Sequence, residues 1–545
     1  MPVDLLIRAA TVLDGTGAPG TVADVAVDGG SIASIGGVGA APSASRTIDA
    51  DGLVLCPGFI DLHAHSDLQI LANSAHTAKV SQGVTTEVLG QDGLSFAPVD
   101  AAVRARLQDQ IAGWNGQTGG VEEQWDSVAG YLDRLDQGIA CNVGYLVPQG
   151  NLRLLAMGDE NRPATAAELA VMVRLLRQGL TEGALGMSSG LTYPPGMFAD
   201  TEELVALCTV VAEHGGYYSP HTRSYGAGAL EAYAEMVDVA RRSGCALHLT
   251  HATMNFEPNR GRAAELLALV DDALADGVDV TLDTYPYLAG STTLSALLPS
   301  WALGGGTPAL LQRLQDPAIR ERLTRELEVD GTDGCHGCPV DWTTIQVSGV
   351  RDPAASDAVG RTIAELGAAS GRRPVEEYFE LLVADRAATT ILQHVGDESN
   401  VRTIMAHPRH CGGSDAIVVG ARPHPRAWGT FPRYLGHYVR DEGVLDLAEC
   451  VRHLTGTPAE RLGLTDRGLV REGYAADLVL FDPATVRDAA TYEDPRQQSV
   501  GIEWVLVNGV PVIEAGRRTE ALPGRTLRRG QTGPVNPSTR PPREA

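Results

Sequence analysis

The chain has 545 residues, 43% of them hydrophobic, which is too long for one ordinary compact core and fits a large barrel with a smaller module. Its formal net charge of −25 argues against nucleic acid and anionic membranes as partners. The apolar runs are shorter than the roughly 18 residues that indicate a membrane span. The start of the chain also lacks the pattern of a secretory signal. We therefore expect a cytoplasmic protein, and its eight scattered cysteines to be free thiols.

Both ends of the chain are typical of short strands separated by turns. Residues 1–57 carry apolar runs such as Val25–Val27, and residues 466–525 carry similar runs such as Ala476–Phe481. Because neither end has enough strands to close a core alone, we predict one small β-sandwich built from both ends. Residues 526–545, rich in Arg, Pro, Gly and Thr, are predicted to be a disordered tail.

Between these ends, eight short apolar runs alternate with helical patterns such as Ala166–Glu182 and Leu230–Ser243. The runs are Gly58–His63, Thr85–Gly90, Asn142–Val147, Ala184–Ser188, Gly216–His221, Ala246–His251, Val278–Asp283 and Ala406–Asp415. Eight βα units predict an α/β fold, a (β/α)8 TIM-like barrel over residues 58–465, with its site at the carboxyl ends of the strands. Residues 290–400 carry their own helix signals, including Pro308–Leu327, and are predicted to be an insertion over the barrel mouth, before the last strand.

Candidate metal ligands stand at several predicted strand ends. His63 and His65 follow the first strand, and side chains two residues apart share one face. An isolated pair of this kind is more often two exposed loop histidines. Here His221 and His251 end two later strands and Asp415 ends the last one. Four histidines and a carboxylate suit zinc.

At this point the sequence resembles the amidohydrolase superfamily and, within it, the D-aminoacylases, or N-acyl-D-amino-acid deacylases. The likeness extends over about residues 3–515. The Tyr-Pro-Pro-Gly and His-Pro-Arg-Xaa-Trp-Gly segments are the most specific, whereas the His-Xaa-His start is shared by the superfamily. The segments that carry the resemblance are Pro57–Asp67, Gly83–Thr86, Gly190–Gly196, Asp283–Tyr287, Gly413–Asp415, His424–Phe431 and Gly473–Val479.

The resemblance implies a TIM-like barrel with a flanking β-sandwich and an insertion before the last strand. It also implies one or two zinc ions. By motif, His63 and His65 match the metal ligands after the first strand, and His221 and His251 match the histidines after strands five and six. Asp415 matches the catalytic aspartate after strand eight.

Two departures from the family pattern concern the ligand that bridges two metals. Many superfamily members use a carboxylated lysine after strand four, but the only lysine here is Lys79, before strand two. The deacylases commonly have a cysteine in Gly-Asn-Cys-Gly, where this sequence has Asp92 in Gly90–Gly93. A carboxylate can ligate or bridge zinc, although it is a harder ligand than a thiolate. The alternative is that Asp92 is a turn residue, replaced by Glu87 or by nothing.

The candidate metal ligands and Asp415 together predict hydrolysis of an amide bond. Zinc activates water and polarises the scissile carbonyl, and Asp415 takes the water proton and returns it to the leaving amine. The substrate carries a free carboxylate, for which the candidates are Arg426 and Arg223. Either arginine is equally well explained as a salt-bridged scaffold residue. Tyr193 and Tyr285 are candidates for further hydrogen bonds to the substrate.

The predicted function is zinc-dependent hydrolysis of a small-molecule N-acyl-D-amino acid. The alternatives are a cyclic-amide hydrolase of hydantoinase or dihydroorotase type, a dipeptidase acting on a D-residue, and a metal-binding homologue without catalysis. In the family a lysine often follows the strand-six histidine, and Ala252 and Thr253 stand here instead. The carboxylate anchor or the substrate is therefore expected to differ. The side-chain preference, the acyl preference and the oligomeric state stay open.

Overall fold

The computed structural model describes residues 2–40, 42–116 and 124–530. Eight parallel strands form the centre of the molecule, in a sheet whose order follows the chain. They are Phe59–Asp61, Val84–Leu89, Asn142–Pro148, Gly186–Gly190, Tyr217–His221, Ala246–Leu249, Val280–Asp283 and His410–Cys411. Each of the eight predicted runs overlaps one of these strands.

The first and last strands join, so the sheet closes into a TIM-like barrel. The Leu62 amide donates to the Gly412 carbonyl at 3.3 Å, and the Asp415 amide donates to the His63 carbonyl at 2.9 Å. The last strand is much shorter than the predicted run. Gly412 and Gly413 leave the ladder, and a Cβ at Gly413 would lie 2.6 Å from the Asp283 carboxyl carbon. This close approach turns the chain over the barrel mouth.

Helices follow the strands and pack around the barrel. Ala166–Thr181 is typical, with a capping box between Thr165 and Glu168 and a buried stripe that includes Met172 and Leu176. The other helices of this region are Gln69–Ala72, Thr77–Val80, Ala101–Gln110, Ala112–Asn115, Val128–Leu135, Gln149–Met157, Thr201–Glu213, Ala229–Ser243, Ala263–Ala275, Glu398–Met405, Arg426–Arg433, Leu447–Leu454 and Gly456–Leu462, with 3-10 turns at Gly196–Phe198 and Glu257–Asn259 and a π-helix at Tyr434–Asp441. In the described parts of the chain, no helix is long and apolar enough to cross a membrane.

Both chain ends contribute to one nine-stranded mixed sheet beside the barrel. The two halves meet where Val54–Pro57 pairs antiparallel with Leu478–Phe481. Alternate residues of this sheet, such as Ile7 and Val25, are fully buried in a separate hydrophobic core. The nine strands are Val3–Val12, Thr21–Asp28, Ser31–Gly36, Ala44–Asp49, Val54–Pro57, Leu478–Phe481, Ile502–Val507, Val510–Glu514 and Arg517–Arg518. The two chain ends thus share one sheet, whereas the β-sandwich expected from the sequence stays a prediction.

Residues 526–530 contact the barrel, which corrects the expectation of disorder for this part of the predicted tail. Leu527 is buried, and the Arg528 guanidinium lies 2.6 Å from the Asp133 carboxylate. These side chains find partners on the barrel surface that composition alone does not reveal. The rest of the predicted tail, residues 531–545, lies outside the described residues.

The predicted insertion has its own hydrophobic core and a three-stranded antiparallel sheet. Its strands are Ala289–Thr293, Ile345–Gly349 and Thr390–His394, and its helices are Ser300–Leu303, Gly306–Arg313, Pro317–Arg325, Ile363–Ser370 and Pro374–Ala384, with 3-10 turns at Leu294–Leu297 and Pro353–Ala358 and a π-helix at Glu326–Asp330. The helix predicted over Pro308–Leu327 is two helices. Asp316 caps the second helix by accepting a 2.9 Å hydrogen bond from the Ala318 amide. Pro317 has no backbone N–H and so cannot donate a hydrogen bond to a carbonyl of the first helix.

Candidate metal and catalytic centre

Asp92 lies at the centre of a buried cluster of histidines at the barrel mouth. Its Oδ1 lies 3.5 Å from Nε2 of His63 and 3.7 Å from Nε2 of His251. Its Oδ2 lies 3.5 Å from Nε2 of His65 and 3.4 Å from Nδ1 of His221. One carboxylate therefore contacts all four of the histidines predicted as metal ligands.

The donor atoms divide into two groups that share Asp92. Within each group the donor atoms lie within 4.8 Å of one another, and every member is buried. Imidazole nitrogens and carboxylate oxygens are the ligands that zinc takes in catalytic sites. Oδ1 of Asp92 is buried without a hydrogen-bond partner, as expected for an atom that serves a cation. The groups are His63, His65, Asp92 and Asp415, and Asp92, His221 and His251. This donor set fits one or two zinc ions, and Asp92 is the residue common to both groups.

A tight turn after the second barrel strand directs Asp92 into the cluster. Gly90, Asp92 and Gly93 all have positive φ, and a Cβ at Gly93 would lie 2.6 Å from the backbone nitrogen of Gly190. The Ser188 hydroxyl donates to the Gly90 carbonyl at 2.5 Å and accepts from the Gly93 amide at 3.1 Å. The neighbouring strand therefore holds both sides of the turn that carries Asp92.

Asp415 lies between the histidines and an arginine. Its Oδ1 is 3.2 Å from Nε2 of His65, and its Oδ2 is 2.8 Å from Nη2 of Arg426. Burial raises the pKa of the Asp415 carboxyl, but Arg426, His63 and His65 outweigh it and hold that pKa below its ordinary value. Asp415 is therefore ionised at neutral pH and able to accept a proton.

The two histidines that follow the first barrel strand have opposite acid–base properties. Burial lowers the pKa of His63 to about 4, although Asp92 and Asp415 oppose this change. Burial also acts to lower the pKa of His65, but its hydrogen bonds to Asp415 and Asp92 raise it to about 10. His63 is therefore neutral at neutral pH, whereas ligation by His65 requires that its proton be released.

A buried ion pair connects the first barrel strand with the segment that follows the last barrel strand. Lys79 is fully buried, and its Nζ lies 2.5 Å from Oδ2 of Asp61 and 2.7 Å from the Ser414 hydroxyl. Its ammonium group is thus committed to a carboxylate and is not placed as a bridging ligand. Glu87, the alternative to Asp92, is also engaged elsewhere, because its Oε1 lies 2.8 Å from Nε2 of His76.

Partners behind the cluster orient its histidines. The His248 ring donates from Nε2 to Asp283 at 2.9 Å, and Asp283 accepts the backbone amide of His251 at 2.5 Å. His248 is thus a buried partner of Asp283 and not a member of the donor groups. Nε2 of His221 shares a 2.8 Å hydrogen bond with the Thr192 hydroxyl, which leaves Nδ1 facing the cluster.

The structure brings three of the four predicted substrate-binding residues to the centre. Tyr193 and Tyr285 line the cavity above the cluster. Arg426 is fully buried beside Asp415, with its guanidinium carbon 4.4 Å from the centre of the Tyr285 ring. Nε and Nη1 of Arg426 have no hydrogen-bond partner. Arg426 itself is not among the residues that line the cavity and lies behind Asp415.

Arg223 is not among the residues that line this cavity, contrary to the expectation that it binds substrate. Its Nε donates to Glu235 at 2.8 Å, and its Nη2 donates to the Ala199 carbonyl at 2.6 Å. Its remaining donor, Nη1, reaches the Met197 carbonyl at 3.2 Å. The structure therefore supports the alternative, a scaffold arginine.

Several cavity residues were not singled out from the sequence. Trp114 packs against both Tyr193 and His65, with ring centres 4.8 and 5.2 Å apart. His336 and Gln393 reach the cavity from the insertion. Of these, His336 lies between Cys335 and Cys338 in the insertion. Trp114 and Gln393 carry no recognisable signal.

Known proteins match this chain over nearly its whole length. A sequence profile described as an amidohydrolase family matches residues 46–513. The chain is similar to D-aminoacylase from Alcaligenes xylosoxydans xylosoxydans, with 36% identity over 529 residues, 97% of this chain and 98% of that protein. It is 37% identical over 533 residues to N-acyl-D-glutamate deacylase from the same organism, 97% of each chain. The solved N-acyl-D-glutamate deacylase from Bordetella bronchiseptica, complexed with zinc and a phosphonate inhibitor, has a TM-score of 0.83 and 34% identity, covering 97% of this chain and 100% of that one.

Proposed function

This chain belongs to the amidohydrolase family, and we propose that it hydrolyses N-acyl-D-amino acids to a carboxylic acid and a free D-amino acid, with zinc as cofactor. The observation that carries this proposal is the position of Asp415, which lies between a four-histidine cluster and a buried arginine. A base and a metal-binding donor set thus face one cavity, with a buried arginine directly beside the base.

The residues that would hold the cofactor are His63, His65, Asp92, His221 and His251. When bound there, zinc would supply Lewis-acid chemistry toward water and the scissile carbonyl. The chain itself holds the imidazoles in the orientations that ligation needs, through contacts such as the Thr192 hydrogen bond to His221.

Asp415 moves the proton of the reaction. It accepts a proton from the water that attacks the scissile carbonyl, and it returns this proton to the leaving nitrogen as the C–N bond breaks. Its depressed pKa keeps the carboxylate in the ionised form that a proton acceptor needs. The buried hydrogen bond from its amide to the His63 carbonyl fixes its position relative to the ligands.

Arg426 binds the carboxylate of the substrate, and Tyr285 and Tyr193 contact the same molecule. A guanidinium can present two parallel N–H groups to a carboxylate. Arg426 keeps two such nitrogens without a protein partner and lies 2.8 Å from Asp415. A substrate anchored there places its amide next to the base. Arg223 is left out of this assignment, because each of its three guanidinium nitrogens already donates to a protein acceptor.

The test is a substrate panel with zinc-loaded protein. It contains N-acetyl-D- and N-acetyl-L-amino acids, hydantoins, dihydroorotate and D-residue dipeptides. We expect hydrolysis of neutral N-acetyl-D-amino acids and far slower hydrolysis of their L-enantiomers. Equal rates on both enantiomers, or preference for a cyclic amide or a dipeptide, would contradict the proposal, and no turnover of any compound would indicate a silent homologue.

Asp415→Asn is the variant that tests the base. The amide keeps the size of the side chain but cannot accept the proton, so kcat falls by about 10²–10⁴-fold. Zinc content, measured by atomic emission, and the circular dichroism spectrum stay unchanged in the same sample. Wild-type turnover by this variant would exclude Asp415 as the base.

We also propose the domain division expected from the sequence, with a β-sandwich from residues 1–57 and 466–525 and a catalytic barrel over 58–465. A cytoplasmic location is proposed with it. The small-molecule substrate is the only partner that the proposal requires.

A further inference from the structure

A further buried group of donor atoms lies outside the catalytic centre. It consists of His76, Glu87 and Cys141, whose ligand atoms lie within 4.8 Å of one another. The side chains of His76 and Glu87 are 4% and 0% exposed, and Cys141 is fully buried. Imidazole nitrogen, carboxylate oxygen and thiolate sulfur are the three donor types that zinc takes in proteins. Of the candidate donor groups in the described residues, this one alone contains a cysteine.

The three donors come from separate segments that the fold holds side by side. His76 lies in the connection before the second barrel strand and has a positive φ of 44°, which is uncommon for a residue with a side chain. Glu87 lies on that strand, and Cys141 directly precedes the third. The Ala140 amide donates to the Ser74 carbonyl at 2.9 Å and so joins the two connecting segments. The backbone thus brings the three side chains together.

Two of these donor atoms are buried without a hydrogen bond. Nε2 of His76 lies 2.8 Å from Oε1 of Glu87, but neither atom forms a hydrogen bond. Oδ1 of Asp92, in the catalytic centre, has the same property. Most buried polar atoms are hydrogen-bonded, and an exception calls for an explanation such as a bound ion. The His76 and Glu87 atoms are therefore placed as ligands of a cation.

The charges around Glu87 also favour a cation. Nζ of Lys79 lies 2.5 Å from Asp61 and 3.8 Å from Glu87, so one ammonium group serves two buried carboxylates. One negative charge is thus left to His76 or to an ion that His76 helps to hold. Burial raises the pKa of the Cys141 thiol, so a metal ion has to displace the thiol proton before the sulfur binds. The thiolate adds a second negative charge, and a divalent cation matches both.

We propose that His76, Glu87 and Cys141 form a separate metal site, which takes a divalent ion of the zinc type and has a structural role. None of the three residues lines the catalytic cavity. The bound ion cross-links the connection before the second barrel strand, that strand itself and the start of the third. The site requires neither the substrate nor the catalytic ligands and is therefore independent of the proposed function. The competing description is an ion pair between His76 and Glu87 without a metal.

Cobalt(II) absorption tests the site, because a thiolate bound to Co²⁺ gives an intense charge-transfer band in the near ultraviolet. The full chain is produced with cobalt in place of zinc, so that the buried site is loaded during folding. We expect the band in the wild type, although the catalytic donor groups contain no cysteine. Asp92→Cys adds a thiolate to the catalytic donors and is the positive control for detection. A cobalt-loaded wild type without the band, beside an Asp92→Cys protein that shows it, overturns the proposal.

A matched pair of cysteine variants assigns the band to its residue. Cys141→Ser is expected to abolish the band and to lower the zinc content of zinc-loaded protein by about one ion per chain. Cys56→Ser is the control, because Cys56 is also fully buried but belongs to no candidate donor group of the described residues. It keeps both the band and the zinc content. A band or a zinc content that persists in folded Cys141→Ser excludes the site. If this variant does not fold, the wild-type cobalt spectrum still decides between the metal site and the ion pair.

Discussion

At the scale of single residues, the centre depends on Asp92, because its carboxylate belongs to both groups of donor atoms. Strand ends allowed His221, His251 and Asp415 to be predicted, since parallel strands bring their carboxyl ends to one mouth. Arg223 could not be predicted in the same way. The strand ends at His221. Arg223, two residues later, therefore need not lie on the same face as His221.

Asp92→Ala is expected to lower zinc content below that of the wild type, because it removes the ligand common to both groups. Asp92→Cys supplies a thiolate at the same turn and is expected to restore tight zinc binding. Zinc per chain is measured after dialysis against a chelator of graded strength. Unchanged zinc in Asp92→Ala would make Asp92 a turn residue only.

Arg426 and Arg223 provide a second comparison at this scale. Arg426→Lys keeps a positive charge but loses the two-pronged geometry, so KM rises and kcat/KM falls by about 10–100-fold. Arg223→Lys is the control, because its side chain contacts Glu235 and backbone carbonyls outside the cavity. It leaves KM close to the wild type. A larger rise of KM in Arg223→Lys than in Arg426→Lys would reverse the two assignments.

At the scale of structural elements, the barrel depends on the junction between its first and last strands. The last strand has only two residues, and Gly412 and Gly413 then turn the chain to deliver Asp415. The apolar pattern located this strand but not its length, because hydrophobicity alone does not show at which residue the backbone hydrogen bonds to the neighbouring strand end. The insertion was predicted as a unit, but the helix break at Pro317 was missed.

The buried Lys79–Asp61 pair is expected to be critical for this junction. Lys79→Met leaves Asp61 as an unpaired buried charge and should lower the free energy of unfolding by about 3–5 kcal/mol. Adding Asp61→Asn removes that charge and should recover part of the loss. Urea unfolding followed by circular dichroism measures both variants. A Lys79→Met protein as stable as the wild type would show that the pair does not hold the junction.

At the scale of the whole molecule, the chain ends were the easiest part to predict and also the source of one error. Neither end could close a core alone, which led to the prediction of one β-sandwich, and the structure places strands of both ends in one sheet. The segment 526–530 was predicted to be disordered because of its composition. Composition cannot show that Leu527 is buried against the barrel or that Arg528 reaches Asp133.

Ending the chain after residue 525 is expected to lower the free energy of unfolding by about 2 kcal/mol, chiefly through the lost burial of Leu527. A chain that ends after residue 530 keeps these contacts and serves as the control. Thermal unfolding of the two truncated proteins is compared with that of the full chain. Equal midpoints for both truncations would show that the segment adds nothing to stability.

The pairing of Val54–Pro57 with Leu478–Phe481 has a consequence for biosynthesis. At the usual ~5–20 residues per second of translation, roughly 20–80 s separate the emergence of these two strands from the ribosome. Through that interval the first strands of the sheet have an unpaired edge, which can pair with other chains. Nascent chains stalled before residue 478 should therefore recruit chaperones, and release of the completed chain should end that binding.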